Sequence, residues 1–134
     1  MTLIYTDNVM TKPYIFNFFV AYADTDAFGI MYHARYIEVA ERARSLWSKG
    51  IVIPNDDAGF VVHELSIKYI SPLLLGDEFI VETIPIKIGA ASLVVEQKFV
   101  KCDKICAIMH VTVAYLGENM QPKAIPDGIL SKLK

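Results

Sequence analysis

The feature that most limits how this chain can fold is a single run of helical periodicity, about His33 to Lys49, set between one apolar segment and four strand-like ones. Tyr36, Ala40, Ala43 and Trp47 fall at i, i+4, i+7 and i+11, with Ile37 and Leu46 beside them. Arg35, Glu38, Glu41, Arg42, Arg44 and Ser45 take the remaining positions, so the spacing predicts an amphipathic helix with one buried stripe. Gly50 stands where its C-cap belongs. Before it, Tyr14 to Tyr22 is dense in aromatics and reads as a strand; a polar, glycine-containing turn, Ala23 to Gly29, follows. Beyond a loop holding Pro54 and Asn55-Asp56-Asp57, period two sets in, and Val61, His63, Leu65, Ile67 and Tyr69 are expected on one strand face. Glu78–Ile88, Ser92–Lys101 and Lys104–Leu116 give three further strands, separated by Gly89-Ala90-Ala91 and Cys102-Asp103. The last is apolar almost throughout, as a central strand covered on both faces would be. Ile129 to Lys134 reads as a short terminal helical turn.

One long helix among five or so strands packs most economically as an α+β domain, an antiparallel sheet curled around the helix. The 134 residues suffice for one such domain, spanning 1–134. The outer face and edges of a sheet wrapped on a single helix stay open, which predicts a homodimer or homotetramer.

Charge narrows the function. Thirteen basic against fifteen acidic residues give a net charge of −2 without a basic cluster, so nucleic acid is not an expected partner. The longest uncharged stretches, Pro13–Ala23 and Ile105–Gly117, are too short for a transmembrane helix, and the N-terminus lacks the basic-then-apolar pattern of a secretory signal. A cytoplasmic location is expected. Cys102 and Cys106, read as lying on one strand about 13 Å apart, cannot bridge, and are expected as structural thiols. His33, His63 and His110 are too scattered for a metal cluster, and no metal or other cofactor is expected.

Chemistry concentrates between the first strand and the helix, in Tyr22-Ala-Asp-Thr-Asp-Ala-Phe-Gly-Ile-Met-Tyr-His-Ala-Arg-Tyr36. A helix N-terminus offers unpaired amides and about half a positive charge. A carboxylate nearby can attack, or activate water against, a carbonyl whose oxygen those amides polarise. An Asp before a helix is also a common N-cap or turn former, so the two carboxylates Asp24 and Asp26 alone do not establish an enzyme.

Taken together, Asp24-Thr-Asp26, Gly29, Tyr32-His33-Ala34, Tyr36 and Glu41-Arg-Ala-Arg44 resemble the hotdog-fold acyl-CoA thioesterases of the 4-hydroxybenzoyl-CoA thioesterase family, closest to the Tol-Pal-associated (YbgC-type) branch. Gly59-Phe-Val-Val62, Tyr69-Ile-Ser-Pro72, Asp77, Ser92-Leu-Val94 and Pro122-Lys-Ala-Ile-Pro126 extend the resemblance over nearly the whole chain. It implies a hotdog fold and hydrolysis of an acyl-CoA thioester to acid and coenzyme A. Asp26 matches the catalytic carboxylate, acting as nucleophile through a mixed anhydride or as general base on water. His33 matches the position whose backbone amide faces the thioester carbonyl oxygen. The resemblance further implies substrate contacts for Tyr22, Tyr32, Phe28, Gly29, Val62, His63 and Ser92, in a site between two subunits. Packing explains Tyr22 and Tyr32 as readily, and a core position explains His63. Asp24 reads as a loop-orienting residue; Arg35, Arg42, Arg44 and Lys68 suit either the phosphates of coenzyme A or a solvated surface. One departure stands out: the two-glycine turn usual in this branch reads Phe28-Gly29; phenylalanine is disfavoured at positive φ and adds a bulky wall, so either that position does not need glycine or the pocket is altered. Two other activities fit the same residues, a hydroxyacyl thioester dehydratase and a non-catalytic acyl-CoA or partner-binding module.

Overall fold

The computed structural model describes residues 3–4, 12–52 and 57–133. Pro54, Asn55 and Asp56 of the expected loop, most of the N-terminus and Lys134 lie outside them. Six strands, β1 (Leu3–Ile4), β2 (Tyr14–Phe19), β3 (Gly59–Tyr69), β4 (Glu78–Gly89), β5 (Ser92–Lys101) and β6 (Lys104–Leu116), form one antiparallel sheet ordered β1-β4-β5-β6-β3. β2 pairs with β4 on the same side as the two-residue β1, and β3 is the opposite edge. The helix α1 (Arg35–Lys49) packs on one face, and α2 (Asp127–Leu130) with a 3-10 turn at Ser131–Leu133 closes the chain.

The helix buries Tyr36, Val39, Ala40, Ala43 and Trp47. Ala40 and Ala43 let its backbone approach the sheet, where alternate residues such as Phe79, Val81, Val95, Phe99, Met109 and Val111 complete the core. Leu46, expected beside the apolar stripe, is exposed, whereas Val39 is buried; Val39 lies one turn before Ala43, inside the stripe's angular width. The helix also starts two residues later than expected, because His33 and Ala34 form a separate turn closed by Arg35 N–H on Tyr32 O (2.8 Å). Gly50 is the C-cap as expected, with an ordinary negative φ of −87°.

One polar side chain interrupts the core. Gln97, on the inward phase of β5, donates from Nε2 to Ala40 O (2.9 Å) and Thr83 Oγ1 (3.0 Å), and accepts from Arg44 Nη1 (2.9 Å). Helix and sheet are thereby registered by hydrogen bonds as well as by shape. Arg44 is therefore not part of a solvated face: it is half-buried, and burial lowers its pKa.

Two strand expectations fail for local reasons. Tyr14–Tyr22 is a strand only to Phe19, after which Tyr22–Asp24 form a 3-10 turn. On β3 the register slips between Val62 and Glu64, so His63 is a bulge and the face changes phase: Leu65 and Ile67 pack on the core as expected, but before the bulge the core contact passes to Phe60, and Val61 and His63 are exposed. His63 is thus not a core histidine. Cys102 is likewise not on a strand; Cys102 and Asp103 are the two left-handed residues of the β5–β6 hairpin turn, and both cysteines are free.

Candidate active site

The connection between β2 and α1 is assembled by its own polar groups. Asp24 is buried and folds back on the chain: Oδ2 accepts the Ala21 N–H (2.9 Å), Oδ1 lies 3.4 Å from Arg35 Nε, and its carbonyl accepts the Tyr32 N–H (2.9 Å). Those are the contacts of a loop-orienting carboxylate. Asp26 occupies the next turn, its carbonyl accepting from Gly29 N–H (3.1 Å), its amide donating to Ile30 O (3.0 Å) and its Oδ1 accepting from Phe28 N–H (2.8 Å). This Asx turn fixes the carboxylate plane while Oδ2 has no protein partner among the described residues.

Gly29 sits at φ +75°, the left-handed conformation that glycine adopts without penalty. Its amide closes the Asp26 turn and its carbonyl accepts from Leu75 N–H (2.9 Å), tying the turn to the segment after β3. Phe28 is outside the left-handed region and 88% exposed, so the chain holds it without strain and it does not wall the cleft formed by this subunit.

Asp26 and His33 come together in a cleft of about 350 Å³, walled by Met31, Tyr36, Tyr69 and Pro72. Among the described residues neither His33 nor Ala34 N–H has a backbone acceptor, and the helix N-cap, Ala34, supplies no side-chain cap. The helix thus opens toward the cleft with donors to spare. Tyr69 Oη donates to His33 O (2.6 Å), which holds the turn, and the Tyr36 and Tyr69 rings meet edge to face at 5.0 Å. Burial pushes both tyrosine hydroxyls above their ordinary pKa, the Leu73 amide opposing this at Tyr36, so both stay protonated at neutral pH. Among the described residues no set of groups is arranged to hold a metal.

The other expected site residues are dispersed. Tyr22 is 82% exposed, and Tyr32 is partly exposed with its ring 4.4 Å from that of His33. Val62 and exposed His63 lie toward the far end of β3. Ser92 is buried opposite Ala114, whereas Tyr69 pairs with Ala107; seven residues of β6 separate the two, about 23 Å along a strand. Ser92 therefore does not reach the cleft of its own subunit. Of the basic candidates, Arg35 is held by Asp24, Ala23 O and Glu38, Arg42 by Glu38 and Arg44 by Gln97; Lys68 is exposed with no side-chain partner among the described residues.

Tyr36, Tyr69 and Pro72 were not foreseen as cleft residues. Tyr69 could have been found from its place at the last inward position of a strand running toward the helix start.

The thioesterase-like superfamily model matches residues 20–133. Acyl-CoA thioesterase YbgC of Haemophilus influenzae is 33% identical over 114 residues, covering 80% of this chain and 84% of that protein. Acyl-CoA thioester hydrolase YbgC of Escherichia coli O6:H1 is 30% identical over 124 residues, covering 86% and 91%. The crystal structure of a 1,4-dihydroxy-2-naphthoyl-CoA thioesterase from Synechocystis superimposes with a TM-score of 0.82 at 15% identity, over 90% of this chain and 95% of that one, a likeness of fold. The architecture is accordingly the hotdog fold.

Proposed function

The chain belongs to the thioesterase-like superfamily, and from that footing we propose that it hydrolyses acyl-CoA thioesters to a free acid and coenzyme A, with Asp26 as the reacting carboxylate. The observation that carries this reading is the meeting of Asp26 and the uncapped start of α1 in one cleft. The thioester carbonyl oxygen accepts from the His33 amide, which stabilises the charge that grows on it in the tetrahedral intermediate. The Asp26 carboxylate then acts in one of two ways. Its free oxygen adds to the carbonyl carbon and the C–S bond breaks, leaving a mixed anhydride that water opens; or it takes a proton from water as that water adds. Either way the sulfur leaves as thiolate, a good leaving group near neutral pH, so no separate acid is required.

The assembly completes this reading. Among the described residues β3, eleven residues long, pairs only with β6, and Val61, Val62 and Tyr69 are among the side chains it exposes. An open edge of this length calls for a cover. A second copy pairing antiparallel about a two-fold axis near Leu65 would carry Val62 and His63 of one subunit to the Tyr69 end of the other. The exposed aromatics Tyr22 and Phe28 would meet substrate or the partner there, and Lys68 is the basic residue free for a nucleotide phosphate. Ser92, level with Val61 through Ala114 of β6, would be brought toward the same end, two strands further in. A homodimer is the unit so formed, and a homotetramer would pair two of them. Among the described residues no helix is long and apolar enough to cross a membrane; the free thiols accord with a cytoplasmic location.

Thiol release from a panel of short, long and aromatic acyl-CoAs, with product analysis and light scattering on the same sample, tests the reading. Stoichiometric acid and thiol from a dimer or tetramer is expected. An enoyl thioester without thiol would assign a dehydratase, and binding without any product a non-catalytic module.

A further inference from the structure

The turn that carries Asp26 is a small hairpin in its own right. Thr25 bridges Met31, Asp26 N–H donates to Ile30 O (3.0 Å), and at the base Tyr32 N–H donates to Asp24 O (2.9 Å). These bonds set the hairpin's shape; toward α1 it is joined by the backbone turn Tyr32–Arg35 and by one side chain. Arg35, the first residue of α1, reaches back across the hairpin base: Nη2 donates to Ala23 O (2.9 Å) and Nε lies 3.4 Å from Asp24 Oδ1, while Nη1 donates to Glu38 in the first turn of the helix. Among the described residues no other α1 side chain bonds to the stretch from Ala21 to Thr25. Asp24 makes the link consequential, because its carboxylate is buried and has, apart from Arg35, only the Ala21 N–H. Without the guanidinium that carboxylate keeps a single donor and must turn toward water, which shifts the base of the hairpin. Arg35 itself does not line the cleft, and each of its three nitrogens is engaged within the subunit.

We propose that Arg35 is a positioning residue for the hydrolysis: by holding Ala23 and Asp24 to the first turn of α1, it sets the Asp26 carboxylate against the carbonyl that the His33 amide receives. This rests on the proposed role of Asp26. The planar fork is the means, since a lysine ammonium would have to meet the same three acceptors from a single nitrogen.

Turnover of the full-length protein is measured for the parent, Arg35→Met, Arg35→Lys and Asp24→Asn, on the best acyl-CoA and on the matching N-acetylcysteamine thioester, which has no phosphate. Arg35→Met is also made on the Asp26→Asn background. A displacement of about 1 Å at a reacting group can cost on the order of a hundredfold, so a partial shift in Arg35→Met is expected to lower kcat about tenfold with KM within about twofold, and kcat/KM on the N-acetylcysteamine thioester by the same factor. Arg35→Lys is expected to fall between that variant and the parent. On the Asp26→Asn background Arg35→Met is expected to cause no further loss, because the placement of residue 26 no longer matters once its carboxylate is gone. Asp24→Asn keeps an oxygen for the Ala21 N–H but loses the charge that Arg35 holds; it is expected to match Arg35→Met, and it carries the test should Arg35→Met fail to fold. A loss of equal size on both backgrounds, the mark of a merely structural role, overturns the proposal. So does a loss confined to KM or to the coenzyme A substrate, which would place Arg35 on a phosphate, and so does parental kcat in Arg35→Met. Parental turnover in Asp26→Asn alone would refute the reading of Asp26, and this inference with it.

Discussion

Gly29→Ala isolates the conformational demand of the Asp26 turn. At φ +75° an alanine incurs about 1–2 kcal/mol, yet a Cβ built there meets nothing within 4 Å, so no steric term adds to it. Loss of chain entropy in the unfolded state returns about 0.4–1 kcal/mol, leaving a net destabilisation near 1 kcal/mol if the turn is kept. Relieving the strain instead would break Gly29 N–H on Asp26 O and Leu75 N–H on Gly29 O, each worth about 1 kcal/mol. The two routes cost alike, so the turn is expected to divide between them. For a domain of this size 1 kcal/mol moves the melting temperature by roughly 3–5 °C. Activity is the more sensitive reading, since a displacement of about 1 Å at the reacting group can cost on the order of a hundredfold. Thermal melts and thiol release are measured side by side for Gly29→Ala and Phe28→Gly. Phe28 needs no left-handed conformation, so its glycine variant is expected to lose under about 1 kcal/mol, through the unfolded state, and to keep its turnover within a few fold. Unchanged stability and turnover in Gly29→Ala, or a Phe28→Gly loss as large as that of Gly29→Ala, would refute the reasoning.

Three further outcomes follow from the same contacts. Gln97→Leu strands Thr83 Oγ1 and half-buried Arg44 at once; at about 1–3 kcal/mol per unsatisfied group, urea unfolding should show a loss of about 3 kcal/mol. Tyr69→Phe removes the bond to His33 O; thiol release is expected to fall several-fold while the melting temperature shifts by only a few degrees, consistent with about 1 kcal/mol for one hydrogen bond. At Asp77 burial alone would raise the carboxyl, but Lys101 Nζ (2.8 Å) and the Leu74 amide (2.7 Å) outweigh it and hold it below the usual range. A depressed folded value gives stabilisation that is present above the unfolded carboxylate range and lost as pH falls through the folded one. Urea midpoints of the parent should therefore decline below about pH 4, and Asp77→Asn should flatten that decline; an unaltered slope would contradict the assignment.

The elements were legible because each carries its own period. The helical stripe and the strands after it need no tertiary knowledge, and β5 and β6 fall at their expected bounds. What escaped was set by single local events. The bulge at His63 reverses which residues of β3 face inward, and period two has no sign of it. The turn at His33–Ala34 delays the helix, although both residues suit one. At Phe28 the two alternatives left by the sequence are separated by the backbone: Gly29 takes the left-handed angle and residue 28 does not, so that position needs no glycine. Gln97 was detectable in principle, as the polar residue on a phase otherwise occupied by Leu93, Val95 and Phe99. In the cleft, Asp26 and His33 lie close in sequence and were readable together; Val62 and His63 would reach it only in the proposed dimer, and no pattern within one chain places a partner.

The central claim is that Asp26 supplies the reacting carboxylate. Asp26→Asn keeps an Oδ1 to accept the Phe28 N–H, so the turn, the melting temperature and the oligomer should be retained. Single-substrate thiol release by this variant, on the best acyl-CoA of the panel, is predicted to fall by at least about a hundredfold, the lower end for removal of a general base. Turnover within a few fold of the parent would contradict the account.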